Sequence, residues 1–257
     1  MDEKKYSILT FNIGNYEVLH EVENPSDICE YVYVTDDKTI TSSTWTVKYV
    51  ENEHPEDNFK LCWKIRYNPF DYVSTDIVFK IDGTTTPCGD TDKIYQKFVD
   101  GDYDICLFMH PERSTMVEEY FTWEQYRGYS HEQAEKVLGF LYYVEGYDVM
   151  GYRGLYQLNW MIQKKNKTNL DILSMTNAFC SYLAPEGKEV DRLDQTIMSF
   201  VINKYFPNLK VLPVDDHLVL GKYFKMFWHG TNEPLPTHVT SIPKYLFNKE
   251  ITPYVFE

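Results

Sequence analysis

Five short apolar runs punctuate the first 110 residues, and the later ones are separated by helical stretches. The runs are YSILTFN (6–12), EYVYVTDD (30–37), STWTVKYV (43–50), TDIVFKIDG (75–83) and YDICLFM (103–109). Each is short, rich in aromatic or β-branched residues, and closed by polar or small residues, as strands are. Between them, 59–72 repeats Leu61, Cys62 and Ile65 at helical spacing, and 91–101 reads as a helix capped by Asp90 or Thr91. Strands alternating with helices predict a largely parallel α/β sheet with helices on its faces. Ligands of such sheets bind outside the carboxyl ends of the strands. Asp36-Asp37, Asp82-Gly83 and His110 all follow strand ends and are therefore expected to share one rim.

From residue 114 onward the pattern becomes helical. Helices are expected over 114–127, over 130–146 with Ser130 and Gln133 in capping-box spacing, from 158 to 182, and over 191–206. A strand (209–214) and a tail carrying Pro234, Pro236, Pro243 and Pro253 follow. With no repeat, low-complexity tract or linker, 1–257 reads as one domain.

Acidic residues outnumber basic ones, 39 to 25, for a net charge of −14. That balance argues against general nucleic-acid binding, which needs a clustered basic surface. It leaves room for a local basic pocket around a small anion. The five cysteines form no CxxC pair, so neither a zinc knuckle nor a disulfide framework is suggested. A reducing cytoplasm is expected. No apolar run approaches the ~18–20 residues of a membrane helix, and MDEKKYSILTF does not read as a signal peptide. The sequence lacks GxGxxG, GxxxxGK[ST], HExxH and GxSxG, which argues against dehydrogenases, phosphate-loop kinases, zinc proteases and serine hydrolases of those types.

Six segments carry groups suited to chemistry. Asp82-Gly83-Thr84 sets a carboxylate at a strand end beside a glycine that admits a phosphate; an Asp-Gly turn explains it equally. Asp36 and Asp37 can accept hydrogen bonds from a base or ribose, or cap a turn. Around Asn12, Gly14 and Tyr16 the backbone can approach closely and a ring can stack. In HPERSTMVEEY (110–120), Arg113 can pair with an anion, and only one of Glu118 and Glu119 can face a given cleft. Asp194-Gln195 opens an apolar helix, where an acid is also favoured by the helix dipole. His229, after an aromatic run, is a candidate metal ligand with Asp82, and His217 is its rival.

Taken in order, YVTDD, PFDY, IDGT and HPER resemble the bacterial capsule-associated glycosyltransferases, which share a domain with plant mucilage-type glycosyltransferase-like proteins. The resemblance covers 6–120 well and continues more weakly to about 230. It implies a GT-A-like (Rossmann-like) fold, with a nucleotide-binding half (6–110), a helical acceptor half (111–235) and a tail (236–257). It also implies sugar transfer from a nucleotide-sugar donor to a glycan or lipid-linked acceptor in surface polysaccharide synthesis. Any peripheral contact at the inner membrane would come through a partner or a local patch.

By the same resemblance, Asp82 is the first acid of a DxD motif holding Mn2+ or Mg2+, and His229 matches the C-terminal metal-binding histidine. Asn12, Gly14, Tyr16, Asp36 and Asp37 fall at the nucleoside, and Arg66, Gly83, Thr84 and Arg113 at the donor phosphates. Asp194, Gln195 and Glu118 are the implied catalytic residues, Glu119 being a further candidate base. Thr84 stands where the motif's last acid would be, which makes the metal weaker or dispensable. Leu193 interrupts the family's Arg-Asp-Gln run after Arg192. The leaving diphosphate then needs positive charge from a metal, Arg66 or Arg113. Two rival functions are a carbohydrate-binding protein without catalysis and a metal-dependent phosphoesterase.

Overall fold

The computed structural model describes residues 3–127, 131–184, 193–215, 222–236, 243–247 and 249–254, with no side-chain account for 123–127 and 215. Seven strands form its main sheet: β1 (Tyr6–Asn12), β2 (Cys29–Thr35), β3 (Thr46–Tyr49), β4 (Ile77–Ile81), β6 (Ile105–Met109), β7 (Tyr156–Lys164) and β8 (Val211–Asp215). Their order is β3-β2-β1-β4-β7-β6-β8, and only β7 runs against the others. The main sheet is therefore mostly parallel, and the chain is α/β as expected. Two small antiparallel pairs accompany it: β5 (Thr85–Pro87) with β9 (Phe224–Met226), and β10 (Lys244–Leu246) with β11 (Lys249–Ile251).

Strand alternation divides the core between two faces. Leu9, Phe11, Val78, Ile105, Leu107 and Met109 pack on one side with α1 (Asn58–Tyr67), α3 (Met116–Arg127), α4 (His131–Gly139), α5 (Lys167–Leu183) and α6 (Leu193–Tyr205). Tyr6, Ile8, Phe79, Ile81, Cys106 and Phe108 pack on the other, with α2 (Thr91–Asp100) and Phe224 of β9. A sheet covered on both faces wants near-continuous apolar strands. Helix α1 stops at Tyr67 rather than 72, because Pro69 starts a short 3-10 turn, Pro69–Asp71.

One expected helix is a strand. Residues 158–166 were expected to be helical, but most of them lie in β7, hydrogen-bonded between β4 and β6. Trp160 stacks on Phe108 at 4.5 Å on one face, while Met161 packs into the opposite cluster. The strand signal is present, Tyr156, Leu158, Trp160 and Ile162 alternating with Gln157, Asn159 and Gln163, with Met161 the one interruption. The rest of that expected helix is α5, which starts at Lys167 after Asn166 caps it through the Asn169 amide, 2.8 Å away. Among the described residues, no helix is long and apolar enough to cross a membrane.

Candidate functional site

Because β1, β2, β4 and β6 run parallel, their carboxyl ends lie along one edge. Asn12, Asp36, Asp82 and His110 stand at or just past those ends, as anticipated. The loop after β1 is organised from within. Asn12 is buried, accepts from the Tyr16 and Glu17 amides at 2.9 and 3.0 Å, and donates to the Glu17 carbonyl at 2.7 Å. Gly14 adopts φ +74°, and its amide donates to Asp36 at 2.9 Å. A Cβ there would come within 2.0 Å of the Asn58 amide nitrogen. Asp37 is absorbed locally, accepting from the Thr39 amide and hydroxyl in a tight turn. Tyr16 is left two-thirds exposed, which suits a stacking face.

The centre of the rim is an ionic knot. Arg66, in the last turn of α1, donates to Asp194 and, at 3.2 Å, to Asp82. Both ends suit their helices: a cation near the carboxyl end of α1 and an acid in the first turn of α6. The Asp194 side chain is 7% exposed and that of Asp82 34%, so Asp82 is the open side of the knot. Burial pushes the Asp194 carboxyl up, but Arg66 and Lys80 together hold it below its ordinary value. It is ionised at neutral pH. Burial lowers Arg66, while Asp194 and Asp82 more than offset this and keep it charged.

From Asp194 the polar chain continues inward. Its carboxylate accepts from the Gln195 amide at 2.9 Å, and the Gln195 side chain donates to Glu119 at 3.0 Å. Glu119 is fully buried and accepts from Arg113; its carboxylate lies 3.6 Å from His110. The backbone amides of Glu112 and Arg113 donate to His110 Nδ1 at 3.2 and 3.1 Å. Sequence-distant candidates thus join in one line: Asp82, Arg66, Asp194, Gln195, Glu119, Arg113 and His110.

Glu118 is directed elsewhere. Its carboxylate accepts from the Ser114 and Thr115 amides at 2.7 and 2.9 Å, while its own amide donates to the Thr115 hydroxyl at 3.2 Å. That is a capping box at the start of α3, and Glu119 is the acid that turns inward.

His229 reaches the rim through Glu17. Its Nδ1 lies 2.5 Å from Glu17 Oε1, and the Gly230 amide donates to the same carboxylate at 2.9 Å. A Cβ on Gly83 would sit 3.1 Å from Glu17 and 3.0 Å from the Phe11 carbonyl, so Gly83 leaves room for this close packing. Thr84 is buried, and its carbonyl accepts from the Phe227 amide at 2.8 Å. Asp82 and His229, the metal pair expected from the sequence, have separate partners in this structure: Arg66 for Asp82 and Glu17 for His229. Among the described residues, no group of three or more His, Cys, Asp and Glu side chains could hold a metal ion. Ser130, Arg192, Asp216 and His217 lie outside the described residues.

No protein-family model matches the chain. No curated protein matches it in sequence.

Two rim residues escaped the sequence reading. Glu17 lies in a segment whose conspicuous residues are Gly14 and Tyr16. Lys80, two residues before Asp82 on β4, is fully buried, and its amine has no hydrogen-bond partner. Burial pushes that amine down to about 7, with Arg66 adding to the effect and Asp82 and Asp194 opposing it. A lysine inside the apolar run IVFKI was the available signal. Chemically, the rim offers buried cationic donors beside ionised acids, an arrangement suited to a ligand that carries both negative oxygens and hydroxyls.

Proposed function

We propose that the chain is a glycosyltransferase that takes its sugar from a nucleotide donor bound at the carboxyl rim of the sheet. The observation that carries this proposal is the Arg66 guanidinium held between Asp82 and Asp194, at the strand ends where such sheets bind ligands. The resemblance of YVTDD, PFDY, IDGT and HPER to capsule-associated glycosyltransferases supports it from the sequence side. The acceptor is then a glycan or a lipid-linked sugar, and the product part of a surface polysaccharide.

In the transfer, the bond from the sugar's anomeric carbon to the diphosphate breaks and one from an acceptor hydroxyl oxygen forms. The acceptor proton passes to a carboxylate, and negative charge grows on the diphosphate. Arg66 supplies a fixed positive charge beside that leaving group. Asp82, the most open carboxylate of the knot, is the group best exposed to take the proton. The line from Asp194 through Gln195 to Glu119 holds these groups before substrate arrives, so little reorganisation is needed.

The test is release of nucleoside diphosphate from UDP-, GDP- and CDP-sugars, with and without added glycan acceptors. One donor class is expected to be consumed, and Asp82→Asn to slow it by about 100-fold or more, the scale of acid–base catalysis. No turnover of any donor would contradict the proposal.

A further inference from the structure

We infer that Asn58 reads the base of the donor nucleotide, and that this base carries an exocyclic carbonyl, as uracil and guanine do, and not an exocyclic amine. The inference rests on the glycosyltransferase reading above and deepens it by naming the class of base.

A chain of hydrogen bonds fixes which way the Asn58 carboxamide points. A carboxylate offers only acceptors. Asp36 accepts from the Gly14 amide at 2.9 Å and from Asn52 Nδ2 at 3.1 Å. Asn52 therefore turns its nitrogen to Asp36, and its oxygen accepts from the His54 amide at 3.1 Å. The same Asn52 nitrogen donates to Asn58 Oδ1 at 2.8 Å. A carboxamide nitrogen has two N–H groups, so both are spent. With its oxygen turned to Asn52, Asn58 presents Nδ2 on its other side, over Gly14, where a Cβ would come within 2.0 Å of it. Asn58 is half-buried, and no described residue accepts from that nitrogen. The rim thus holds a donor of fixed direction at the ends of β1 and β2.

Its position suits the base. Asn58 opens α1 and Arg66 lies in the last turn of the same helix, about 12 Å further on at ~1.5 Å per residue. A nucleoside diphosphate whose phosphates meet Arg66 extends its other end, the base, along α1 towards Asn58. Tyr16, two residues beyond Gly14, leaves two-thirds of its surface open for a ring to stack on. Stacking accepts any base, but a directed donor does not. The exocyclic group of uracil or guanine is a carbonyl, which accepts; that of cytosine or adenine is an amine, which donates. Two donors set against each other stay unpaired once water is displaced, and that mismatch costs more than a matched bond gains.

The experiment is equilibrium binding of UDP, CDP, GDP and ADP, with manganese present, to the wild type, Asn58→Asp and Asn58→Ala. The wild type is expected to bind UDP more tightly than CDP, or GDP more tightly than ADP, by about ten-fold or more, the scale of one mismatched hydrogen bond. Asn58→Asp puts an acceptor where the donor was and should cancel or reverse that preference. Asn58→Ala should erase it and keep binding through the stacking face. A residue that only braces the β1 loop would weaken all four nucleotides alike and leave their ratios unchanged. Equal binding of carbonyl and amine bases by the wild type, a preference for CDP or ADP, or a preference that survives in Asn58→Ala overturns the inference and leaves the transferase reading standing. A wild type that binds none of the four overturns both. Should neither variant fold, the wild-type ratios decide: a carbonyl preference supports the inference and its absence overturns it.

Discussion

Removing the Arg66 guanidinium leaves Asp194 ionised in a site where its side chain is 7% exposed. Breaking one side of a buried pair costs about 3–5 kcal/mol, so Arg66→Met is expected to lose that much in urea unfolding. Adding Asp194→Asn should recover part of the loss, because the stranded charge is gone. Asp194 also ties stability to acid. Its folded carboxyl lies below its ordinary value of 3.8. The stability it contributes is therefore fully present above 3.8 and is lost as pH falls through the lower folded value. Thermal unfolding from pH ~4 downward should decline less steeply in Asp194→Asn than in the wild type. An identical slope would mean that Asp194 is not held down by Arg66 and Lys80.

Neighbouring acids on one helix do different work, because successive helical positions point about 100° apart. Glu118 closes the capping box of α3, so Glu118→Ala should cost about 0.5–1.5 kcal/mol and leave nucleotide binding unchanged. Glu119→Gln should disturb binding, because it loosens both Arg113 and Gln195. Thermal unfolding with and without nucleotide separates the two. In the β1 loop, Gly14→Ala sets a Cβ against Asn58 at a positive φ, a strain of about 1–3 kcal/mol measurable by denaturant unfolding. The parallel strands were legible in the sequence as short apolar runs, and β1, β2, β4 and β6 close on Asn12, Asp36, Asp82 and His110. Strand β7 was legible too, since in YQLNWMIQK Tyr156, Leu158, Trp160 and Ile162 alternate with Gln157, Asn159 and Gln163, but its continuity with the helical stretch from Lys167 masks that period. The sequence also could not separate Glu118 from Glu119, because the phase of a helix against its cleft is set by tertiary packing. Lys80 stayed hidden for a related reason: lysines are rarely buried, so one in a strand reads first as a solvent-facing residue.

At the scale of the whole molecule, parallel strands bring residues from opposite ends of the chain to one edge, and later segments tie that edge down. Glu17, after β1, holds His229 and Gly230 from the segment before Pro234. Lys244 of β10 is buried and donates to the His110 and Pro111 carbonyls at 2.8 and 2.9 Å, locking the loop that carries Arg113. The proposed nucleotide-sugar site at this edge is organised around Arg66. Thermal unfolding of the wild type and Arg66→Lys with UDP, GDP and CDP tests it most directly. A ligand at about 100 times its dissociation constant adds about 2.7 kcal/mol, a visible rise in unfolding temperature. One nucleotide is expected to stabilise the wild type, and Arg66→Lys, which keeps the charge but loses the planar fork, to be stabilised much less. No shift with any nucleotide, or the same shift in Arg66→Lys, would contradict it.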